Sequence, residues 1–313
     1  MRSLHPTLSR AACAAAVTLA AMSGSARSAP ASAGSGAGGD PGGDPGGDRS
    51  GGIAAHYMRT GPADFGTGVQ VRERQAGLRA WSRDFTADRV DFRIGADYAY
   101  TRYAFEGLPT RPRDLHHLFV PLRWRERDDR WLVVVAPVVA SSSNVFKDFV
   151  DRGGRDDVDL HLRLQVERWS RPAIGWRVAL VRDTAFGAPR FYPAAALLWK
   201  AKRVVAELGV PSSRIDWQAR DRLALGAAVF PTGGSWHVVS DERDGAEFDY
   251  RARAWRAALT ADWRPWRWLR ASAQAGIEFR RRYEFEDDTG AVIDREAGSA
   301  RYWRLELRVG LGG

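Results

Sequence analysis

The feature that most constrains this chain is a period of two. Val158, Leu160, Leu162, Leu164 and Val166 alternate with Asp159, His161, Arg163, Gln165 and Glu167. Val90 to Tyr100, Leu269 to Phe279 and Trp303 to Leu311 repeat the pattern. Successive side chains of a strand point to opposite faces, so each run has one apolar and one polar face. Strands are expected near 69–85, 89–105, 115–126, 131–141, 158–169, 174–184, 191–199, 202–210, 213–219, 222–240, 248–262, 267–285 and 300–312. Many exceed the usual soluble strand of roughly 5–6 residues and match the ~9–11 that cross a bilayer at a tilt. No stretch beyond residue 50 offers the ~18 consecutive apolar residues of a membrane helix, and no helix of 3.6 period stands out.

The connections sort by length. Tight turns fall around Ala87-Asp88, Asp128-Asp129, Arg171-Pro172, Lys200-Ala201, Arg220-Asp221 and Arg264-Pro265. Longer ones alternate with them: 107–114, 142–157, 184–190, 210–213, 241–247 and 287–299. All short turns therefore lie at one end of the sheet, the asymmetry of outer-membrane barrels with their short periplasmic turns. Tryptophan marks the same end: Trp124, Trp131, Trp169, Trp176, Trp199, Trp263, Trp266 and Trp268 sit beside short turns. Indole has an apolar body and one N–H, which suits an interfacial girdle. The fold expected is all-β, an antiparallel transmembrane β-barrel of 12–14 strands over residues 53–313. A further strand at 53–60 makes fourteen; reading 202–219 as one strand broken at Pro211 makes twelve. Pro137, inside a strand, calls for a bulge or an unpaired position.

The ends agree with export. Arg2 and Arg10 precede an apolar run, Ala11 to Met22, and small residues follow at Gly24-Ser25-Ala26 and Ala31-Ser32-Ala33, so residues 1–33 are expected to be a cleaved signal peptide. Cys13, the only cysteine, lies within that run, leaving the mature chain without disulfides. Residues 34–52 are expected to form a disordered Gly-rich linker containing GGDPGGDPGGD, with no apolar residues to stack as a calcium roll. The net charge is +9, and residues 50 to 313 carry about +8 once the leader arginines and linker aspartates are set aside. Lysine occurs only at 147, 200 and 202. The basic residues are spread through strands rather than clustered, and together with export this argues against nucleic acid as a partner.

From about residue 69 to its end, the chain resembles an uncharacterised bacterial outer-membrane β-barrel family, a domain of unknown function. The resemblance is carried by residues 191 to 237, with Tyr192-Pro193, then Leu208-Gly209-Val210-Pro211-Ser212-Ser213, then Gly233-Gly234. It implies a barrel in the outer membrane and supplies no catalytic residues. The chain departs from the usual barrel end in closing on Val309-Gly310-Leu311-Gly312-Gly313, without a terminal aromatic.

If the apolar faces meet lipid, Arg93, Asp97, Arg163, Glu167, Arg177, Arg251, Arg253, Arg270, Glu278, Arg304, Glu306 and Arg308 should line a lumen. Arginine rings favour anions, so small anionic solutes are one expected cargo. Acids recur beside the arginines, which favours a narrow or plugged lumen zipped by ion pairs. No metal site or cofactor is expected, since the adjacent His116 and His117 point to opposite faces. The function expected is a narrow passive channel or a structural protein, not an enzyme, in contact with outer-membrane lipid and its assembly machinery. Two alternatives stand beside it: a lipid-modifying hydrolase using Ser235 and His237, which share a strand face near Asp241, and a soluble periplasmic barrel that packs its apolar faces inside.

Overall fold

The computed structural model describes residues 50–66, 68–126, 130–149 and 154–311. The signal peptide and nearly all of the linker lie outside the described residues. The first strand already includes Gly51 and Gly52 from the expected linker.

The strands are β1 (Gly51–Thr60), β2 (Ala63–Asp64), β3 (Gln70–Trp81), β4 (Phe85–Ala87), β5 (Val90–Glu106), β6 (Arg113–Phe119), β7 (Leu122–Glu126), β8 (Trp131–Ser142), β9 (Val158–Arg171), β10 (Ile174–Asp183), β11 (Arg190–Lys200), β12 (Val204–Val210), β13 (Ser213–Arg220), β14 (Leu223–Ser240), β15 (Ala246–Trp266), β16 (Leu269–Glu286), β17 (Val292–Ala297) and β18 (Ala300–Leu311). A helical turn, α1 (Ser143–Lys147), follows β8. All eighteen strands belong to one sheet. β2 extends β1, β4 extends β3, β7 extends β6 and β17 extends β18, so the described residues form fourteen staves. β1 pairs with β18 from Gly51–Leu311 to Thr60–Tyr302, which closes the barrel. Pro211 falls in the β12–β13 turn, so the count is fourteen and not twelve. Pro137 faces the break between β6 and β7, where Val120 N–H donates to its carbonyl and no return donor is required.

Over the lower part of the barrel, next to the short turns, the outward positions are apolar and exposed. Leu78 is 63 % exposed, Leu259 71 % and Trp263 52 %. On β5 the outward run is Val90 to Tyr100. At ~3.4 Å per residue and a tilt of about 40°, it spans about 25 Å, the height of the apolar band of an outer-membrane barrel. Trp131, Trp176, Trp199, Trp263, Trp266 and Trp268 are exposed at its short-turn margin, and Trp266 stacks on Trp268 at 5.4 Å. Trp124 packs against Phe92 on the same outer face, ring centroids 5.5 Å apart. Trp169 is the exception. By plain alternation it shares the inward face of Glu167: it pairs with Gly175 in the unbroken β9–β10 register, and its indole lies over that glycine and donates to Glu167 at 2.8 Å.

Further from the short turns the faces invert along the same strands. β5 carries Tyr103 and Phe105 inward and Arg102 and Glu106 outward; β15 carries Phe248 and Tyr250 inward and Asp249 and Arg251 outward. Surface ion pairs decorate this section: Arg72–Glu106 at 3.3 Å, Arg251–Asp249 at 2.7 Å and Arg282–Asp294 at 2.5 Å. On β16 a bulge contributes to the change. Arg280 adopts φ 51°, the register slips between Trp255–Phe279 and Arg253–Arg282, and both Glu278 and Arg281 face inward.

The number of staves also falls. β9 pairs with β8 only as far as Val158–Val139, and β13 reaches β14 only at Ser213–Val229. Above those points β14 swings across to the free edge of β8. His237 and Ser141 form a parallel bridge, the Val239 N–H donates to Ser142 Oγ at 3.3 Å, and Asn144 Nδ2 donates to the Val239 carbonyl at 2.7 Å. β9 to β13 are thereby excluded and nine staves continue. A ring of about eight strands has an interior that side chains can fill. Here it is filled by Val71, Tyr103, Phe105, Leu115, Trp236, Val238, Phe248, Tyr250, Tyr283 and Phe285, all buried. At the β16–β17 turn above this core, burial tends to raise the Asp287 carboxyl. Hydrogen bonds from the Thr289 hydroxyl and from the Ala291 and Thr289 N–H groups nevertheless hold it below the usual carboxylate value.

Candidate functional site in the barrel lumen

Beneath the aromatic plug lies a cavity of about 200 Å³, lined by His56, Glu73, Arg79, Asp97, His117, His161, Arg256, Asp262, Arg304 and Glu306 among others. Strand alternation places these groups: a residue whose neighbours meet lipid must itself face inward, where only polar partners can satisfy it.

Ion pairs knit the wall together. Arg79 meets Asp97 at 2.6 Å. Arg177 bridges Glu167 at 2.9 Å and Glu207 at 2.6 Å. Arg214 bridges Asp216 at 2.6 Å and Asp262 at 3.1 Å, and Arg270 also reaches Asp262, at 3.0 Å. Glu306 binds Arg304 at 3.2 Å and Arg308 at 2.7 Å. Nearest the plug, Glu278 holds Arg256 at 2.6 Å and Arg281 at 3.3 Å, with Glu73 3.8 Å from Arg256. Together these networks use eight arginines and eight carboxylates, so the wall carries little uncompensated charge.

Of the residues expected to line the lumen, Arg93, Asp97, Arg163, Glu167, Arg177, Arg270, Glu278, Arg304, Glu306 and Arg308 are on the inward face. Arg93 pairs with Asp84 at 2.6 Å near the short-turn rim. Arg251 and Arg253 are not on that face. They lie above the inversion, where the charged face of β15 points out, and Arg253 reaches the cavity only from the side of the 184–189 loop. The alternation also implied Arg79, Glu207, Arg214, Asp216, Arg256 and Asp262, which the sequence reading did not single out.

The cavity continues off the barrel axis, past Thr184, Ala185, Gly233 and Arg253, toward the space above the short staves β9 to β13. There the 184–189 loop leans on β14 and β15, with Phe186 edge-on to Tyr192 at 5.0 Å and 6.2 Å from Trp255. Gly233 permits this approach. A Cβ at this position would lie 2.7 Å from the Thr184 oxygen, 2.8 Å from that of Ala252 and 2.9 Å from that of Ala185, all backbone atoms. Gly233→Val is therefore expected to lift the loop and to speed tryptic cleavage after Arg190 several-fold, read by limited proteolysis of the folded protein.

Ser235 and His237 share the outward face of β14. The imidazole stands 3.8 Å from Glu247, and no hydrogen bond joins Ser235 to His237 among the described residues. His117 and His161 lie 6.2 Å apart on one wall of the lumen, on the strands that flank β8, but no group of three ligating side chains among the described residues could hold a metal ion.

No family model matches the chain, and no curated protein matches it. The resemblance over residues 191 to 237 therefore rests on those residues alone. Solved structures similar to the chain include an outer membrane channel from Pseudomonas putida F1, at 11% identity and TM-score 0.46, covering 84% of this chain and 96% of that one. The P. putida toluene transporter TodX aligns at 10% identity and TM-score 0.42 over 85% of this chain and 91% of its own. The NanC porin aligns at 7% and 0.36 over 83% and 100%.

Proposed function

We propose that the chain is an outer-membrane barrel acting as a narrow passive channel for small solutes, held at low conductance by its plug and its ion-paired wall. One observation carries the reading: along single strands the apolar residues face outward for about 25 Å and then inward. A soluble barrel has no reason to change faces part-way along a strand. A barrel that leaves a membrane does, because lipid solvates its lower outer surface and water its upper one. The outward residues Trp303, Leu305, Leu307 and Leu311 of β18 then meet lipid.

The matched charges support weak ion selectivity in place of the anion preference expected from arginine alone. Passage follows the off-axis cavity, because the axis is filled by side chains. The test is to isolate outer membranes from cells expressing the chain with its leader, run the protein with and without boiling, and record it in planar bilayers. Outer-membrane recovery, a boiling-dependent mobility shift and small, weakly selective conductance steps are the expected results. Recovery in the soluble periplasm would overturn the membrane reading; a heat-modifiable barrel without conductance would leave a structural role.

A further inference from the structure

On the outer wall, at the upper margin of the apolar belt, the fold builds a second polar cluster. His116 of β6 faces outward opposite Tyr100 of β5. Its Nε2 lies 2.7 Å from Ser143 Oγ, at the start of α1, and its Nδ1 lies 2.7 Å from the Tyr98 hydroxyl. The ring is clamped: Phe146 stacks on it at 4.7 Å and 12°, and Tyr100 packs at 5.4 Å. Ser143 Oγ is also 3.2 Å from the Asp114 carbonyl, and the Asp114 carboxylate accepts from Tyr100 at 2.5 Å. His116 and Ser143 are both partly exposed. The neighbouring Ser142 and Asn144 are committed to the seam with β14, while Ser143 Oγ has two acceptors in reach, His116 Nε2 at the shorter distance and the Asp114 carbonyl at the longer.

A serine hydroxyl on an oriented imidazole is the arrangement of nucleophilic acyl transfer. With Nδ1–H donated to the Tyr98 oxygen, Nε2 is free to accept the serine proton. The surroundings select the substrate. Tyr98 belongs to the belt that faces lipid, and Arg102 and Lys147 lie just beyond it, at the level of anionic headgroups. We propose that Ser143 and His116 form a hydrolytic site for acyl esters of outer-leaflet lipid, with Tyr98 as a positioning residue. Ser143 Oγ adds to the ester carbonyl carbon while its proton passes to His116 Nε2. The intermediate collapses with cleavage of the ester C–O bond, and His116 protonates the departing alkoxide to give the alcohol. Water then adds to the acyl-serine, giving its proton to Nε2. Cleavage of the Oγ–acyl bond releases the acid, and the serine regains its proton.

The substrate class rests on the membrane placement proposed above, so the test separates the two. The full barrel, shown to be folded by its boiling-dependent shift, is treated with a fluorophosphonate probe and assayed on a soluble p-nitrophenyl acyl ester and on phosphatidylethanolamine vesicles. Labelling of the Ser143 peptide and turnover of both substrates are expected. Ser143→Ala and His116→Gln should lower turnover by about a thousandfold or more. Tyr98→Phe should keep part of it with a displaced pH profile, and Ser235→Ala should change nothing. A folded barrel whose Ser143 is not labelled, or whose turnover survives Ser143→Ala, overturns the site. Turnover of the soluble ester alone overturns the lipid as substrate. Labelled Ser143 in a protein recovered from the periplasm would sink the membrane placement and leave the dyad standing.

Discussion

Trp236→Ala is expected to raise the single-channel conductance of the barrel several-fold while leaving its boiling-dependent mobility shift intact. Trp236 is 6 % exposed at the boundary between cavity and plug, with Tyr250 at 5.9 Å and Tyr103 at 6.2 Å. Removing a large buried aromatic costs about 3–5 kcal/mol, part of it for the space left behind. The upper section is poorly placed to absorb that loss. Its closing seam consists of the His237–Ser141 bridge and the hydrogen bonds of Ser142 and Asn144 to Val239, each contributing about 1 kcal/mol. The lower fourteen staves are joined by continuous ladders and do not depend on the indole. Tyr250→Ala should act in the same direction, since Tyr250 is fully buried between Tyr103 and Phe285. Planar-bilayer recordings check both variants. Conductance unchanged from that of the parent protein would mean that the aromatic plug is not the barrier.

The barrel was legible because its signal is local. On β5 each outward residue from Val90 to Tyr100 is apolar, and a two-residue period needs no knowledge of the partners. The alternation even contained the plug: the inward series Asp91, Arg93, Asp97 and Thr101 runs on into Tyr103 and Phe105. Reading that change as the end of the membrane requires several strands to be aligned at one height, which loops of unknown register conceal. Arg251 and Arg253 show the consequence: they are on the right strand but above the boundary, so they face outward and not into the lumen. Trp169 sits beside a short turn, as a girdle residue should, but three residues on from the outward Val166 the alternation puts it on the inward face of β9. The positive φ of Arg280, which brings Arg281 beside Glu278, is a bulge that leaves no mark in composition. Least legible were contacts between distant segments. The meeting of β14 with β8 joins residues about a hundred positions apart, and Ser143 meets His116 only because β8 runs beside β6. Ser235 and His237 are close in sequence and share a strand face, yet no hydrogen bond joins their side chains among the described residues.

Glu278→Ala is expected to be the most destabilising single change in the lumen. Glu278 is 1 % exposed and Arg281 not at all; Arg256 is also buried. One carboxylate thus holds two guanidinium groups, at 2.6 and 3.3 Å. An ion pair so deeply buried adds little net stability when complete, because desolvation offsets its attraction. Breaking it is different: the charges that remain stay desolvated and lose their partner, at about 3–5 kcal/mol. Glu73, 3.8 Å from Arg256, can compensate only one of the two arginines at that range. Arg281 suffers most, since its main-chain position is set by the bulge at Arg280 and cannot retreat to solvent without undoing the inward turn of Tyr283 and Phe285. The control is Arg282→Ala, which removes an exposed, solvent-screened pair with Asp294 on the outer face and should leave the urea midpoint nearly unchanged. Urea titration of the barrel refolded into lipid vesicles compares them. A Glu278→Ala midpoint well below that of Arg282→Ala follows from the burial of the network. Equal midpoints would mean that water reaches Arg256 and Arg281, and that the lumen is hydrated up to the plug rather than sealed by paired charge.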